Sequence, residues 1–216
     1  MTETRILRVD QGKIEGALVR DIAAALASGA VAAYPTETFY ALGAAAFSRK
    51  AVSRIFRLKK RDPAKPLSFV AADMDMVREM SGPLPPAFEA LAGEFWPGPL
   101  TLVLPAAAGF PASLLGPGRT VAVRIPPLSW LRAVVRELAE PLTATSANRA
   151  GAKEIADPLE VRAVFGGKID LIVDGGPAPG GRPSTIVDLA AGRPRVLREG
   201  PIPADRIAAL VGPEPT

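Results

Sequence analysis

The chain has 216 residues, 48% of them apolar and 22% charged, the balance of a folded globular protein long enough to bury its own core. It contains no cysteine and no histidine, which excludes disulfide frameworks, thiolate nucleophiles, cysteine zinc sites and imidazole-based hydrolytic triads. Its chemistry must therefore rest on hydroxyls, amides, carboxylates, Lys and Arg, and a net charge of +4 favours an anionic partner, either a nucleic acid or a small phosphorylated ligand.

Met1 to Asp10 carries Glu3, Arg5 and Arg8 with no apolar run behind them, so it does not read as a secretory signal and a cytoplasmic location is expected. Gly16 to Ser28 has Ala17, Leu18, Ile22, Ala25 and Leu26 near helical spacing, with Gly29 where a C-terminal glycine cap belongs. A short apolar strand, Ala30 to Tyr34, follows. It runs into Tyr34-Pro35-Thr36-Glu37-Thr38-Phe39-Tyr40, polar groups at the strand end that in an α/β sheet faces the ligand crevice; Thr36 or Thr38 could equally cap a following helical turn.

Ser48 is placed to cap a helix running to about Lys60, with Val52, Ile55 and Phe56 on its inner face. Between Arg49 and Lys65 stand eight basic residues and one acid, Asp62. Such a run is either a solvated face that complements the helix dipole, or a place where Lys59, Arg61 and Lys65 converge on a triphosphate. Leu67 to Ala71 reads as a strand. Phe95 to Gly118 holds no charged residue and is nominally long enough to cross a bilayer, but Pro97, Pro99, Pro105, Pro111 and Pro117 break it. It reads as a buried strand, Leu100 to Leu104, between loops, and no membrane association is expected.

Further strands are expected at Val121 to Ile125, Leu142 to Thr145, Ile169 to Val173, Thr185 to Leu189 and Arg195 to Arg198, the last two as an antiparallel hairpin. Helices are expected at Leu128 to Leu138, at Pro158 to Phe165 capped by Asp157, and at Ala204 to Val211. Arg124 closes an apolar strand, where its charge needs a partner or a cleft. Thr143-Ala144-Thr145-Ser146-Ala147-Asn148 is another strand running into small polar groups, which also suits an Asx or Ser/Thr turn. With no repeat and no linker, the expectation is one α/β domain over residues 1–216 with a mixed sheet. Neither G-x-x-x-x-G-K-[ST] nor G-x-G-x-x-G occurs at a strand-to-helix junction, so any nucleotide site is of another kind.

Taken in order, Tyr34-Pro35-Thr36-Glu37-Thr38-x-Tyr40-x-Leu42-Gly43, Lys59-x-Arg61 with Pro66-Leu67, Trp96-Pro97-Gly98-Pro99-Leu100-Thr101, Val123-Arg124-x-Pro126, Thr145-Ser146-Ala147-Asn148 and Ser184-Thr185-x-Val187-Asp188 resemble the YrdC/TsaC family of threonylcarbamoyl-AMP synthases. The resemblance covers roughly residues 14–200. It implies a twisted mixed β-sheet flanked by helices with a large basic concave cleft, in the short form that consists of this domain alone. It also implies synthesis of threonylcarbamoyl-AMP and pyrophosphate from L-threonine, bicarbonate or CO2, and ATP, for modification of the adenosine next to the anticodon of tRNA.

By the same resemblance, Lys59, Arg61, Lys65, Thr120, Ser146, Asn148 and Arg198 would serve ATP, and Thr36, Thr38, Arg124, Ala144 and Ser184 would serve threonine. Mg2+ would be bound through the ATP phosphates, no residue is assigned as acid, base or nucleophile, and threonylcarbamoyl-transferase proteins would receive the product. Three positions depart from the family pattern: Ala41 stands for a common glycine, Val70 for a histidine of some relatives, and Pro126-Pro127-Leu128 lacks a histidine often found there. The competing readings are a tRNA or double-stranded RNA binder of the same fold, a carbamoyl-AMP-forming domain like that of hydrogenase-maturation carbamoyltransferases, and an inactive paralogue.

Overall fold

The structure, a computed structural model, describes residues 3–10, 15–62, 65–149 and 151–212. In chain order, β1 (Arg5–Arg8) and α1 (Gly16–Ala27) precede β2 (Ala32–Pro35), β3 (Tyr40–Gly43), α2 (Arg49–Lys59) and β4 (Ser68–Val70). Then come α3 (Met74–Met80), α4 (Phe88–Phe95), β5 (Leu100–Pro105), β6 (Thr120–Arg124), α5 (Ser129–Leu138) and β7 (Leu142–Ser146). The chain ends with α6 (Pro158–Phe165), β8 (Leu171–Asp174), β9 (Thr185–Asp188), β10 (Arg195–Arg198) and α7 (Ala204–Val211). The strands form one ten-stranded sheet in the order β1-β8-β2-β3-β7-β4-β6-β5-β9-β10. It is mixed: β1–β8, β8–β2, β4–β6 and β5–β9 run parallel, and the other neighbours antiparallel.

Local chemistry sets the element ends. Gly29 has φ +87° just past α1, and its N–H and that of Ala30 bond the carbonyls of Leu26 and Ala25, as a glycine stop requires. Asp157 accepts from the Leu159 N–H at 2.8 Å, with Pro158 in the first turn of α6. Ser48 stands at the N-cap of α2, but its side chain makes no capping bond; the helix is held from that end by its backbone carbonyl, which accepts from the Val52 N–H.

Strand alternation sends side chains to two apolar layers. On one face Ala32, Tyr34, Leu142, Leu171 and Val173 meet Val19, Ile22 and Leu26 of α1 and Trp130, Leu131, Val134 and Val135 of α5. The other face buries Ala33, Phe69, Val121, Val123 and Ile172 against residues of α2, α4, α6 and α7. The α1–α5 pair reaches only as far as β4, so beyond Val70 the first face is left uncovered over β6, β5 and β9. That bare half-face is the floor of the cleft.

Four elements escape the sequence reading: β1, β3, α3 and α4. Tyr34-Pro35-Thr36-Glu37-Thr38-Phe39-Tyr40 is not a strand followed by a helical turn but a hairpin, β2 pairing with β3 from Pro35↔Tyr40 to Ala32↔Gly43. Ala41 pairs with Tyr34 and Ser146 in regular extended geometry, so that position does not call for the positive φ that would demand glycine. Gly43 is the strict case, since a Cβ there would lie 2.2 Å from the Thr143 carbonyl oxygen and 2.7 Å from the Tyr34 ring.

Candidate active-site cleft

A cavity of about 340 Å3 opens on the uncovered face. Its floor is a row of short side chains in register across neighbouring strands: Ala144 and Ala122 both pair with Ser68, and Ala122 pairs with Val103. Larger residues at these positions would fill the space a ligand needs. A bigger cavity, about 580 Å3, lies by the start of α2, lined by Phe47, Phe56, Pro111 and Leu114 with Arg49 as its one charged residue. It lacks the convergent polar groups that mark a reaction site, whereas the sheet cleft gathers them.

One end of the cleft is built by the β2–β3 turn. Thr36 Oγ1 donates to the Phe39 carbonyl at 2.7 Å and accepts from the Thr38 and Phe39 N–H groups at 3.2 and 3.3 Å, locking the turn. Thr38 Oγ1 lies 3.2 Å from Thr36 Oγ1. Glu37, at the tip, folds back and accepts from Nη1 of Arg124, the last residue of β6. This pair is nearly sequestered, with side chains 15% and 9% exposed, and Glu37 Oε2 is buried with no hydrogen-bond partner among the described residues.

The other end is built by the C-terminus of α2 and the end of β7. Lys60 adopts φ +51° and turns the chain at once, so that Lys59 is the last residue of α2 and Arg61 already lies beyond the helix. Lys59 is only 2% exposed and donates to the Ser146 carbonyl, to the Asn148 carbonyl at 2.7 Å and to Asn148 Oδ1 at 3.0 Å. Burial pulls its pKa down to about 8, the Arg61 charge adding to that and Glu154 opposing it. Arg61 lines the cleft and donates to the Lys65 and Pro66 carbonyls, both at 2.8 Å. Across the cavity Arg198 donates to the Ser184 carbonyl at 3.0 and 2.8 Å, and Ser184 Oγ lies 2.9 Å from Thr101 Oγ1. Burial lowers the pKa of both arginines from their ordinary value.

Of the residues singled out from sequence, Thr36, Thr38, Arg61, Arg124, Ala144, Ser146, Ser184 and Arg198 all line this one cavity. Lys59 and Asn148 stand behind its wall, bonded to each other and to Ser146, whose hydroxyl donates to Asn148 Oδ1 at 2.6 Å. Thr120 shares a face of β6 with Ala122 and Arg124 but does not line the cavity, its hydroxyl donating to the Pro117 carbonyl at 3.0 Å. Lys65 is exposed, and what it gives the site is a backbone carbonyl for Arg61. Two residues were missed: Glu154, the one carboxylate lining the cavity among the described residues, and Glu37, which the threonines beside it overshadowed.

Fold and cleft together define a mixed α/β protein with a cationic end suited to a polyanion and, beside it, a smaller hydroxyl-rich end holding an ion pair. Residues 24–200 match the Sua5/YciO/YrdC family model, described as "Telomere recombination". The chain belongs to that family. It is 38% identical over 200 residues to the threonylcarbamoyl-AMP synthase of Pyrococcus abyssi, covering 93% of this chain and 59% of that one. Over 174 residues it is 34% identical to the threonylcarbamoyl-AMP synthase of Coxiella burnetii, covering 81% of this chain and 94% of the relative. The crystal structure of P. abyssi Sua5 complexed with L-threonine superposes with a TM-score of 0.90 at 37% identity, covering 97% of this chain and 61% of that chain. The chain thus spans about three fifths of the Pyrococcus protein's length and nearly all of the Coxiella protein's.

Proposed function

We propose that this chain is a threonylcarbamoyl-AMP synthase, converting L-threonine, bicarbonate or CO2, and ATP to threonylcarbamoyl-AMP and pyrophosphate. One observation carries the reading. Lys59, Arg61 and Arg198 are all positioned by neutral acceptors, carbonyl, amide and hydroxyl oxygens, so their positive charge is not cancelled by the groups that hold them. That is what a triphosphate requires, and it adjoins an arginine and hydroxyls fit for a hydroxy amino acid.

In this mechanism the threonine amine attacks CO2, forming an N–C bond and releasing a proton, and a carbamate oxygen then attacks the α-phosphorus as the bond to pyrophosphate breaks. Catalysis is positioning plus charge stabilisation. Arg124 takes the amino acid's carboxylate through the guanidinium edge that Glu37 leaves free. Thr38 and Ser184 bound the side-chain pocket over Ala144, while Thr36, its hydroxyl consumed within the turn, sets the position of Thr38. Arg61 and Arg198 meet the phosphates, Lys59 adds charge from behind Ser146 and Asn148, and Thr120 and Lys65 lie at the margin of the nucleotide end. Mg2+ would enter bound to the phosphates of the ATP substrate. The product's use in tRNA modification, with transferase proteins downstream, belongs to the same proposal, as does a cytoplasmic setting. Among the described residues no helix is long and apolar enough to cross a membrane.

The test is pyrophosphate release from Mg·ATP and bicarbonate, with L-threonine, with L-serine and with neither. Threonine-dependent release is expected, and its absence in a chain that still binds ATP overturns the reading.

A further inference from the structure

The cavity of about 580 Å3 beside the start of α2 takes no part in the reaction proposed above, yet its volume is that of a small-molecule site. Its walls come from two segments: Phe47, Val52 and Phe56 in and just before α2, and Pro111 and Leu114 at the short 3-10 turn between β5 and β6. Phe47 is the one exposed aromatic ring among the described residues, at 50%. It is nonetheless held in place, because Phe110 packs edge-on against it with ring centroids 5.8 Å apart, and Phe69 packs edge-on against Phe110 at 5.4 Å. A ring fixed from behind and open in front gives up little conformational freedom when a flat apolar body covers it.

Arg49 is the one charged residue lining this cavity, and its guanidinium has no hydrogen-bond or ion-pair partner among the described residues. No acid stands in the first turn of α2, where Lys50 adds a second positive charge. The carboxylate that approaches this segment, Glu140, accepts from the Phe47 N–H at 2.8 Å and does not line the cavity. An apolar chamber with a single uncompensated cation selects a ligand of the complementary pattern, an apolar body with one anionic group. We infer that this cavity is a binding site for a small aromatic monocarboxylate, its ring system lying against Phe47 and Phe56 and its carboxylate taken by the Arg49 guanidinium. One fork-shaped cation matches one carboxylate in charge and in geometry, whereas a phosphate group calls for several cations. The hydroxyls of Ser53 and Ser113, both on exposed lining residues, complete the polar part of the wall. The site shares no lining residue with the cleft and does not depend on the synthase reading.

The experiment is calorimetric binding of 2-naphthylacetate and of 2-(2-naphthyl)ethanol, in which a hydroxyl replaces the carboxylate, to the full chain, to Arg49→Gln and to Phe47→Ser. The wild-type chain is expected to bind one molecule of the acid and to prefer it to the alcohol by about 3- to 10-fold, between the worth of an exposed ion pair and that of a hydrogen bond to a charged group. R49Q should lose that preference and keep its affinity for the alcohol, while F47S should weaken both ligands several-fold. Should F47S lower the melting temperature, Ser53→Trp replaces it, filling the cavity from an exposed helix position and abolishing binding of both. A wild-type chain that binds neither ligand, or takes up both without saturation, overturns the site. Equal binding of acid and alcohol overturns the carboxylate assignment, and a preference that survives in R49Q places the acid elsewhere, as at the arginines of the cleft, and overturns the role of Arg49.

Discussion

The two ends of the cleft solve the same problem, holding a cation still beneath a ligand, by opposite means. At the α2 end the holders are carbonyl and amide oxygens, which orient Lys59 and Arg61 without cancelling them. At the hairpin end the holder is the Glu37 carboxylate, which orients Arg124 and neutralises it. Charge-preserving support suits a polyanion; charge-cancelling support suits a small ligand with no net charge. The difference lies in what stands behind each cation rather than in which cation is used, so it can be broken from behind.

The largest expected effect comes from Lys59→Met. It removes a buried ammonium and takes the Lys59 donor from the Asn148 carbonyl, at a cost of about 1–3 kcal/mol in stability, while the Ser146 carbonyl keeps the Asn148 N–H and Asn148 Oδ1 keeps the Ser146 hydroxyl. It also removes charge from the nucleotide end, lowering ATP turnover by roughly 100- to 1,000-fold, as loss of a preorganised charge-stabilising donor does elsewhere. Denaturant midpoints and ATP kinetics measured together check this. Arg61→Gln is the sharper comparison, because Arg61 is half-exposed and carries less of the fold. It should raise the KM for ATP about 10- to 100-fold and leave the KM for threonine within a factor of two. Arg124→Gln should do the reverse, and the pair of variants fails as a test of the division if both KM values move together.

This contrast also marks where the sequence was legible. Motif order, strand ends and the mixed sheet could be read because alternation, caps and glycine stops are local signals, and Gly29 and Asp157 act as their positions suggest. The basic run from Arg49 to Lys65 reads as one surface, either solvated or facing a triphosphate, and neither reading anticipates that Lys59 is buried. The signal was nevertheless present: Lys59 lies four residues after Ile55 and seven after Val52, on the stripe that faces the core, and all three are buried. The β3 segment Tyr-Ala-Leu-Gly lacks β-branched residues, so nothing local announces a strand; its register comes from pairing with β2 and β7. The pairing of Glu37 with Arg124 joins residues 87 positions apart, and no pattern along one chain encodes it.

A smaller and more specific effect is expected from pH. The Lys59 pKa is lowered from 10.5 to about 8 by burial, so above pH 8 the free cleft loses a positive charge. The kcat/KM for ATP, which reports the free enzyme, should fall up to tenfold per pH unit above about 8. Lys59→Arg should abolish that step, and the KM for threonine should not share it. Stability moves the other way. Between pH 8 and 10.5 the unfolded chain holds a proton on Lys59 that the folded chain has released, so this group's contribution to stability rises with pH. A fall in ATP use that tracks unfolding would therefore point away from Lys59.

The finest test sets two buried threonines against each other. Thr143 Oγ1, fully buried on β7, accepts from the Ala44 N–H at 2.9 Å and donates to the Ala44 carbonyl at 3.1 Å, tying the end of β3 to β7. Thr36 Oγ1 makes the same kinds of bond within the hairpin turn. Thr143→Val and Thr36→Val each delete a hydroxyl while keeping the shape, and each should cost about 1–3 kcal/mol through unsatisfied backbone groups. Only the Thr36 change loosens the segment that aims Glu37 at Arg124. It should raise the KM for threonine several-fold with the KM for ATP unchanged, whereas Thr143→Val should lower the melting temperature and leave both constants alone. Equal kinetic effects from the two would mean that the hairpin end responds to general loss of stability, and that the turn does not act through Glu37.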